Sequence, residues 1–240
     1  MIDTSKRSFA RSAEQTRPVA FTSGYIKDAY GSCLVAFGDT KVLCVASISQ
    51  EVAGWRKDSH LGWLTAEYAM LPGSTVPRTK REYGMRKGRS QEIERLIGRS
   101  LRSCVDMHAL GESTVTIDCD VLQADGGTRT ASICGGWVAL HDALETWRKA
   151  GKVKVSPLIG QVAAVSVGQV AGRMLCDLDY QEDSHAEVDM NIVQNGQGEF
   201  IEVQGTGEGA SFSRSGLDQM LDLADAAIKE IMALQKAAVA

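Results

Sequence analysis

No stretch of the chain approaches the roughly 20 consecutive apolar residues that a membrane-spanning helix requires. Residues 1–17 are polar and charged where a secretory signal would carry an apolar run. The expected setting is therefore the cytoplasm, with no membrane partner. The six cysteines, Cys33, Cys44, Cys104, Cys119, Cys134 and Cys176, include no C-x-x-C pair and sit among apolar or alternating neighbours. They read as reduced core thiols rather than disulfide halves. His60, His108, His141 and His185 lack metal-ligand spacing, which argues against zinc. No Walker lysine motif occurs, and Gly205-Thr206-Gly207-Glu208-Gly209 lacks the spacing of a dinucleotide fingerprint, so a nucleotide-binding fold of either kind is rejected. Excess positive charge is missing as well: the net charge is −4, unsuited to a protein that coats DNA.

What remains is an ordinary globular composition, 44% apolar and 23% charged, in 240 residues. A chain of that length buries roughly 70% of its extended surface and needs no staple to hold a core. One domain over residues 1–240 is expected. The charge is unevenly spread, because residues 78–102 hold nine Lys or Arg against three Glu. Such a patch suits a polyanion held at one place, although a solvated helix face gives the same run.

Residues 19–22, 31–37 and 41–47 alternate like strands, with Gly38-Asp39 as a hairpin turn. Residues 72–87, with Pro72, Pro77 and many charges, predict a long exposed loop. From Ser90, taken as N-cap, Ile93, Leu96, Ile97 and Leu101 recur at helical spacing. Val115, Ile117, Cys119 and Val121 then alternate with polar residues as a half-buried strand. A second helix is expected over 130–149, ended by Gly151. Strands over 161–167, 173–180, 187–193 and 199–204 precede a final helix that Ser215-x-x-Asp218 would cap. Strands, helices, strands and a helix in that order predict an α+β fold.

The segment richest in chemistry is Val121-Leu122-Gln123-Ala124-Asp125-Gly126-Gly127-Thr128-Arg129-Thr130, a strand passing through two glycines into a helix start. Glycines let backbone N–H groups approach an anion, the helix start adds partial positive charge, and Thr128 and Arg129 add a hydroxyl and a guanidinium. Phosphate suits those groups; a flexible loop with a surface arginine is the plainer alternative. Lys87-Gly88-Arg89-Ser90 repeats the arrangement before the other helix. The third cluster is acidic: Asp177, Asp179, Glu182 and Asp183 close one strand region, while Glu187 and Asp189 open the next and share a face with Asn191. Paired carboxylates can hold a hard divalent cation, though charged strand ends are commonly just solvated.

Together these segments resemble the ribonuclease PH family of phosphorolytic 3′ exoribonucleases over nearly the whole chain, from Gln15-Thr16-Arg17-Pro18-Val19 to Gln235-Lys236-Ala237-Ala238. The most specific runs are Phe37-Gly38-Asp39-Thr40-Lys41-Val42-Leu43-Cys44, Thr65-Ala66-Glu67-Tyr68, residues 110–130, Asp177-Leu178 through Asp189-Met190-Asn191, and Glu202-Val203-Gln204-Gly205-Thr206. One departure stands out. In Met70-Leu71-Pro72-Gly73-Ser74-Thr75, Gly73 replaces a family arginine associated with RNA contact, whereas Arg78 and Arg81 remain at matching places.

The resemblance implies a ribosomal-protein-S5-domain-2-like β-α-β fold and a homohexamer built as a trimer of dimers. It implies removal of nucleotides from 3′ ends of tRNA precursors and other RNA, with inorganic phosphate as co-substrate. By the same match Arg89, Gly127, Thr128 and Arg129 bind phosphate. Asp183 and Asp189 are catalytic and hold magnesium or manganese, and Arg78, Arg81 and Arg99 contact RNA. DNA is not an expected partner. Two other readings are a non-catalytic RNA-binding ring subunit and a hydrolytic nuclease. The first usually loses site arginines or aspartates that are all present here, and the second has no use for a phosphate cradle.

Overall fold

The computed structural model describes residues 6–82, 88–208 and 210–240, and among them two β-sheets share one hydrophobic core. The first sheet comprises β1 (Val19–Ser23), β2 (Gly31–Phe37), β3 (Thr40–Ser49), β4 (Trp63–Met70) and β5 (Thr114–Gln123), in the order β1-β2-β3-β5-β4. The hairpin expected at Gly38-Asp39 is there, with Phe37 facing Thr40 across it. β4 runs parallel to β5, so a crossover must join them; it contains α1 (Gly88–Arg102) and α2 (Met107–Leu110).

β4 adds a strand that the sequence reading lacks. Leu64, Ala66 and Tyr68 point inward and alternate with Trp63, Thr65 and Glu67, but two alanines and a glutamate weaken the strand signal. As an edge strand, β4 would leave a row of backbone groups open. α1 covers that edge: Glu94 accepts from the Tyr68 amide at 3.3 Å, and Arg102 donates to the Leu64 carbonyl at 3.0 Å. Gly98 lies between them, and a Cβ there would fall 3.7 Å from the Ala66 nitrogen and 3.0 Å from the Arg102 guanidinium. α1 therefore runs antiparallel to β4 and ends beside Trp63.

Within the expected loop, Pro72–Ser74 forms a 3-10 turn with Pro72 and Ser74 buried, and residues 76–82 are exposed. Residues 83–87 lie outside the described residues, Lys87 of the glycine-arginine segment among them. α1 begins at Gly88, so Ser90 is inside its first turn, donating to Glu82 at 3.0 Å, rather than at the cap.

α3 (Thr128–Lys149) is the central helix, packed on β2 and β3 on one side and on β6 (Val162–Val170) on the other. Being covered on two sides, it shows little amphipathicity, with Ile133, Trp137, Leu140 and Leu144 all buried. β6 belongs to the second sheet, completed by β7 (Arg173–Cys176), β8 (Val188–Asn195) and β9 (Phe200–Gly207) in the antiparallel order β7-β6-β8-β9. The strand expected over 173–180 stops at Cys176. Asp177 takes a positive φ of 53°, and Asp179 caps the short α4 (Tyr180–Asp183) in a capping box with Glu182. α5 (Arg214–Ala238) packs on β6, β7 and β1, and so touches both sheets. Its cap is Ser213, which accepts from the Gly216 amide at 3.0 Å, instead of Ser215. No helix among the described residues is long and apolar enough to cross a membrane. All six cysteines are free and buried.

Candidate active site

α3 starts on a bare glycine. Gly127, its N-cap, takes φ 63° and ψ 24° and offers no side chain to the first-turn amides, and no acidic residue lies in that turn. Gly126 has φ 73°, and a Cβ there would sit 2.5 Å from the Leu178 carbonyl, so conformation and space both require glycine. Thr40 pins this turn, donating to the Gly126 carbonyl at 2.7 Å and accepting from the Asp125 amide at 2.9 Å. Arg17 donates to the Asp125 carbonyl. Uncapped amides at a fixed helix start have the geometry and partial charge that can seat an anion.

The seat opens on a cavity of about 520 Å³. Its lining gathers Arg89 from α1, Gly127, Thr128 and Arg129 from the start of α3, Asp183 from α4 and Asp189 from β8. The two glycine-arginine helix starts therefore converge on one space, which spacing alone left open. Arg129 is held by Gln204 at 2.8 Å and Glu92 at 3.3 Å, while Gln204 donates to Glu92 at 2.9 Å. The Gln204 bond and the arginines keep the Glu92 carboxyl below its ordinary pKa, hence ionised. The Thr128 hydroxyl lies 2.8 Å from the Tyr68 hydroxyl, whose pKa is raised by burial.

In the same lining, Asp183 and Asp189 resist ionising together. Burial raises Asp183 against the pull of Arg89 and Arg129. Asp189 is pushed up to about 6 by burial and then by the charge of Asp183. Among the described residues no group of three or more His, Cys, Asp or Glu converges as a metal site. Two half-buried carboxyls, both raised by loss of solvent, fit a hard cation that takes its other oxygens from water or phosphate.

The rest of the acidic cluster does something else. Asp177, Asp179 and Glu182 are tied to three buried arginines: Arg17–Asp177 at 2.7 Å, Arg7–Glu182 at 2.6 Å, and Arg11 to Glu182 at 2.8 Å and Asp179 at 3.3 Å. This network fastens the N-terminal segment to α4, which carries Asp183, and through Arg17 to the Gly126 turn. Although burial opposes its charge, the bond to Asp177 raises the Arg17 pKa. Glu187 bonds Gln169 at 2.7 Å and does not line the cavity, whereas Asn191 does. Replacing Arg17 by Met leaves buried Asp177 the residue-17 amide, at 2.7 Å, and only Arg11, at 3.6 Å, as counter-charge. Urea unfolding is expected to show a loss of about 3 to 5 kcal/mol; an unchanged midpoint would remove Arg17 from this role.

Arg78 and Arg81 are exposed and outside the cavity lining. Arg99 also lies outside it, paired with Glu202 of β9 at 2.9 Å. Gly73 is exposed and has open space where a Cβ would stand. Arg17, Thr40, Tyr68 and Gln204 hold the site yet have no role in the sequence reading; the one hint is that each falls inside a family-like run.

Fold and cavity define an α+β protein that sets two arginines and a bare helix start against a carboxylate pair, the make-up of an enzyme handling phosphate groups. The chain belongs to the ribonuclease PH group of 3′ exoribonucleases. Residues 15–144 match the 3′ exoribonuclease family, domain 1, and residues 160–227 match domain 2. The chain is 56% identical to ribonuclease PH of Mycobacterium bovis, over 98% of this chain and 92% of that one. It is 54% identical to ribonuclease PH of Corynebacterium glutamicum, over 98% of both. In fold it is similar to rice (Oryza sativa) Rrp46, with a TM-score of 0.79 at 18% identity over 98% of this chain and 100% of that one. The Archaeoglobus fulgidus exosome with RNA bound to the active site gives 0.81 at 21% identity, over 94% and 91%. The α+β, S5-domain-2-like expectation holds.

Proposed function

We propose that this cavity trims RNA from its 3′ end, tRNA precursors included, and that Arg89, Gly127, Thr128 and Arg129 hold the attacking phosphate. The family sets the activity: phosphate-dependent removal of nucleotides as nucleoside diphosphates. The observation that carries the residue assignment is that the glycine-arginine helix starts and a carboxylate pair line one cavity.

Phosphate and the RNA phosphodiester repel each other, so the step needs a site where that repulsion is already offset. Arg129, fixed by Gln204 and Glu92, and Arg89 offset it, while the amides and the Thr128 hydroxyl orient the phosphate. A phosphate oxygen bonds to the phosphorus of the terminal nucleotide, the bond to the preceding 3′ oxygen breaks, and that oxygen takes up a proton. The products are a nucleoside diphosphate and an RNA one residue shorter. A phosphodiester is exchanged for a phosphoanhydride, so the step runs both ways. Asp183 and Asp189 would hold magnesium or manganese, which when bound supplies charge neutralisation at the scissile phosphate and the departing oxygen.

Arg78, Arg81 and Arg99 grip the RNA backbone, making binding salt-dependent. We also read the chain as a subunit of a homohexamer, a trimer of dimers, working on RNA rather than DNA in the cytoplasm. We likewise take residues 1–240 as a single domain, a reading supported by the one core that α3 and α5 bury against both sheets. Circular dichroism and tryptophan fluorescence should report a single coincident unfolding transition; two separated transitions would divide the chain. The activity is tested by incubating protein and magnesium with an RNA bearing a single-stranded 3′ tail. Diphosphates should appear only with phosphate, and monophosphates released without it would overturn the reading.

A further inference from the structure

The far end of β4 carries an aromatic cluster that takes no part in the cavity. Trp55, in the short turn Gly54–Arg56, is 65% exposed and stands edge-on to Trp63, with ring centroids 4.9 Å apart. The Arg56 guanidinium lies 5.5 Å from the Trp55 ring and 5.3 Å from the Trp63 ring, and that of Arg102 lies 4.7 Å from Trp63.

The loop is held in place. Ser59 donates to the Arg56 carbonyl at 2.5 Å, the His60 amide to Glu112 at 3.1 Å, and the Gly62 amide to the Met107 carbonyl at 2.8 Å. Asp58 and His60 take positive φ values of 63° and 58°, a conformation that side-chain-bearing residues keep only when their surroundings enforce it. An indole left in water by a pinned, strained loop and flanked by cations suits a flat ring attached to an anion. A nucleobase and its phosphate are such a ligand.

α1 links this cluster to the cavity. Arg89 in its first turn lines the cavity, and Arg102 at its end lies against Trp63. Thirteen helical steps separate them, about 20 Å at 1.5 Å per residue. Between the two places Arg95 and Arg99 are exposed, Arg99 paired with Glu202. At about 3.4 Å per nucleotide of a stacked strand, that span takes roughly six nucleotides.

We propose that Trp55 and Arg56 form an upstream site for single-stranded RNA, on which a base roughly six nucleotides from the 3′ end stacks while the end occupies the cavity. This rests on the reading of the cavity as an RNA 3′-end site.

The test compares wild type with Trp55→Ala on unstructured oligoribonucleotides of four and twelve nucleotides, with saturating phosphate. For the twelve-mer the variant should raise KM about tenfold and leave kcat unchanged; for the four-mer both constants should stay put. Trp55→Phe should restore most of the twelve-mer KM. Equal effects at both lengths, no effect at either, or a changed assembly mass in Trp55→Ala would overturn the proposal, the last by seating Trp55 on a second copy. Wild-type protein releasing no diphosphate from either RNA would instead overturn the cavity reading, and this proposal with it.

Discussion

Replacing Arg129 by Ala is expected to lower phosphate-dependent turnover about a thousandfold while leaving the fold and RNA binding nearly intact. The Arg129 side chain is only 17% exposed, and Gln204 and Glu92 hold its guanidinium in place before any substrate arrives. Removing one preorganised donor from such a site costs about 10² to 10³ in rate. A charged donor facing a phosphate lies at the upper end, since its bonds are roughly twice as strong as neutral ones. Its partners Glu92 and Gln204 sit at the cavity rim and can turn to water, so stability should change little. Initial rates against phosphate concentration, with filter binding of RNA alongside, check both parts. Lys should recover only a fraction, because it lacks the planar fork that meets Gln204 and phosphate together. Normal turnover of the Ala variant at low phosphate would place the anion elsewhere.

Asp189→Asn should abolish turnover and yet stabilise the cation-free protein at neutral pH. The folded-state pKa of Asp189 is about 6, above its ordinary value of 3.8, so the folded protein binds this proton more tightly than the unfolded chain does. The stability the group contributes is therefore complete below about pH 4 and is lost as pH rises through about 6. Asparagine never ionises and escapes that loss. At pH 8 the variant should be more stable by about 2 kcal/mol, with partial exposure keeping the gain below the full effect of the shift. At pH 4 the two proteins should differ much less. Adding magnesium should raise the melting temperature of wild type and leave the variant unmoved. Equal melting temperatures at pH 8 without metal would mean that neither burial nor the charge of Asp183 holds the Asp189 carboxyl above its ordinary pKa.

Several local features of the sequence read true, although the caps expected at Ser90 and Ser215 fall inside α1 and α5, which begin at Gly88 and Arg214. The Gly38-Asp39 turn, the alternation from Val115 to Val121 and the two glycines before Thr128 each depend on neighbours a few residues away, and each is where the pattern puts it. What stayed hidden depends on distant partners. Asp177, Asp179 and Glu182 look no different in sequence from Asp183. Arginines some 160 residues earlier, such as Arg17 for Asp177, claim the first three, and a buried ion pair across that separation has no period. The meeting of Arg89 with Arg129 likewise depends on α1 lying along the β4 edge, held by Glu94 and Arg102. No local pattern specifies that. β4 itself was faint because Ala66 and Ala69 stand where branched residues would have announced a strand.

The most direct test of the central claim, that phosphate held between Arg89 and Arg129 attacks the RNA, is isotopic. Wild-type protein would be given unlabelled RNA with radiolabelled inorganic phosphate, and the released nucleotides separated and counted. Every nucleoside diphosphate should carry one label in its terminal phosphate, and Arg129→Ala protein, still binding RNA, should release almost none. Unlabelled monophosphates from wild type, or labelled diphosphates formed at the normal rate by Arg129→Ala, would contradict the account.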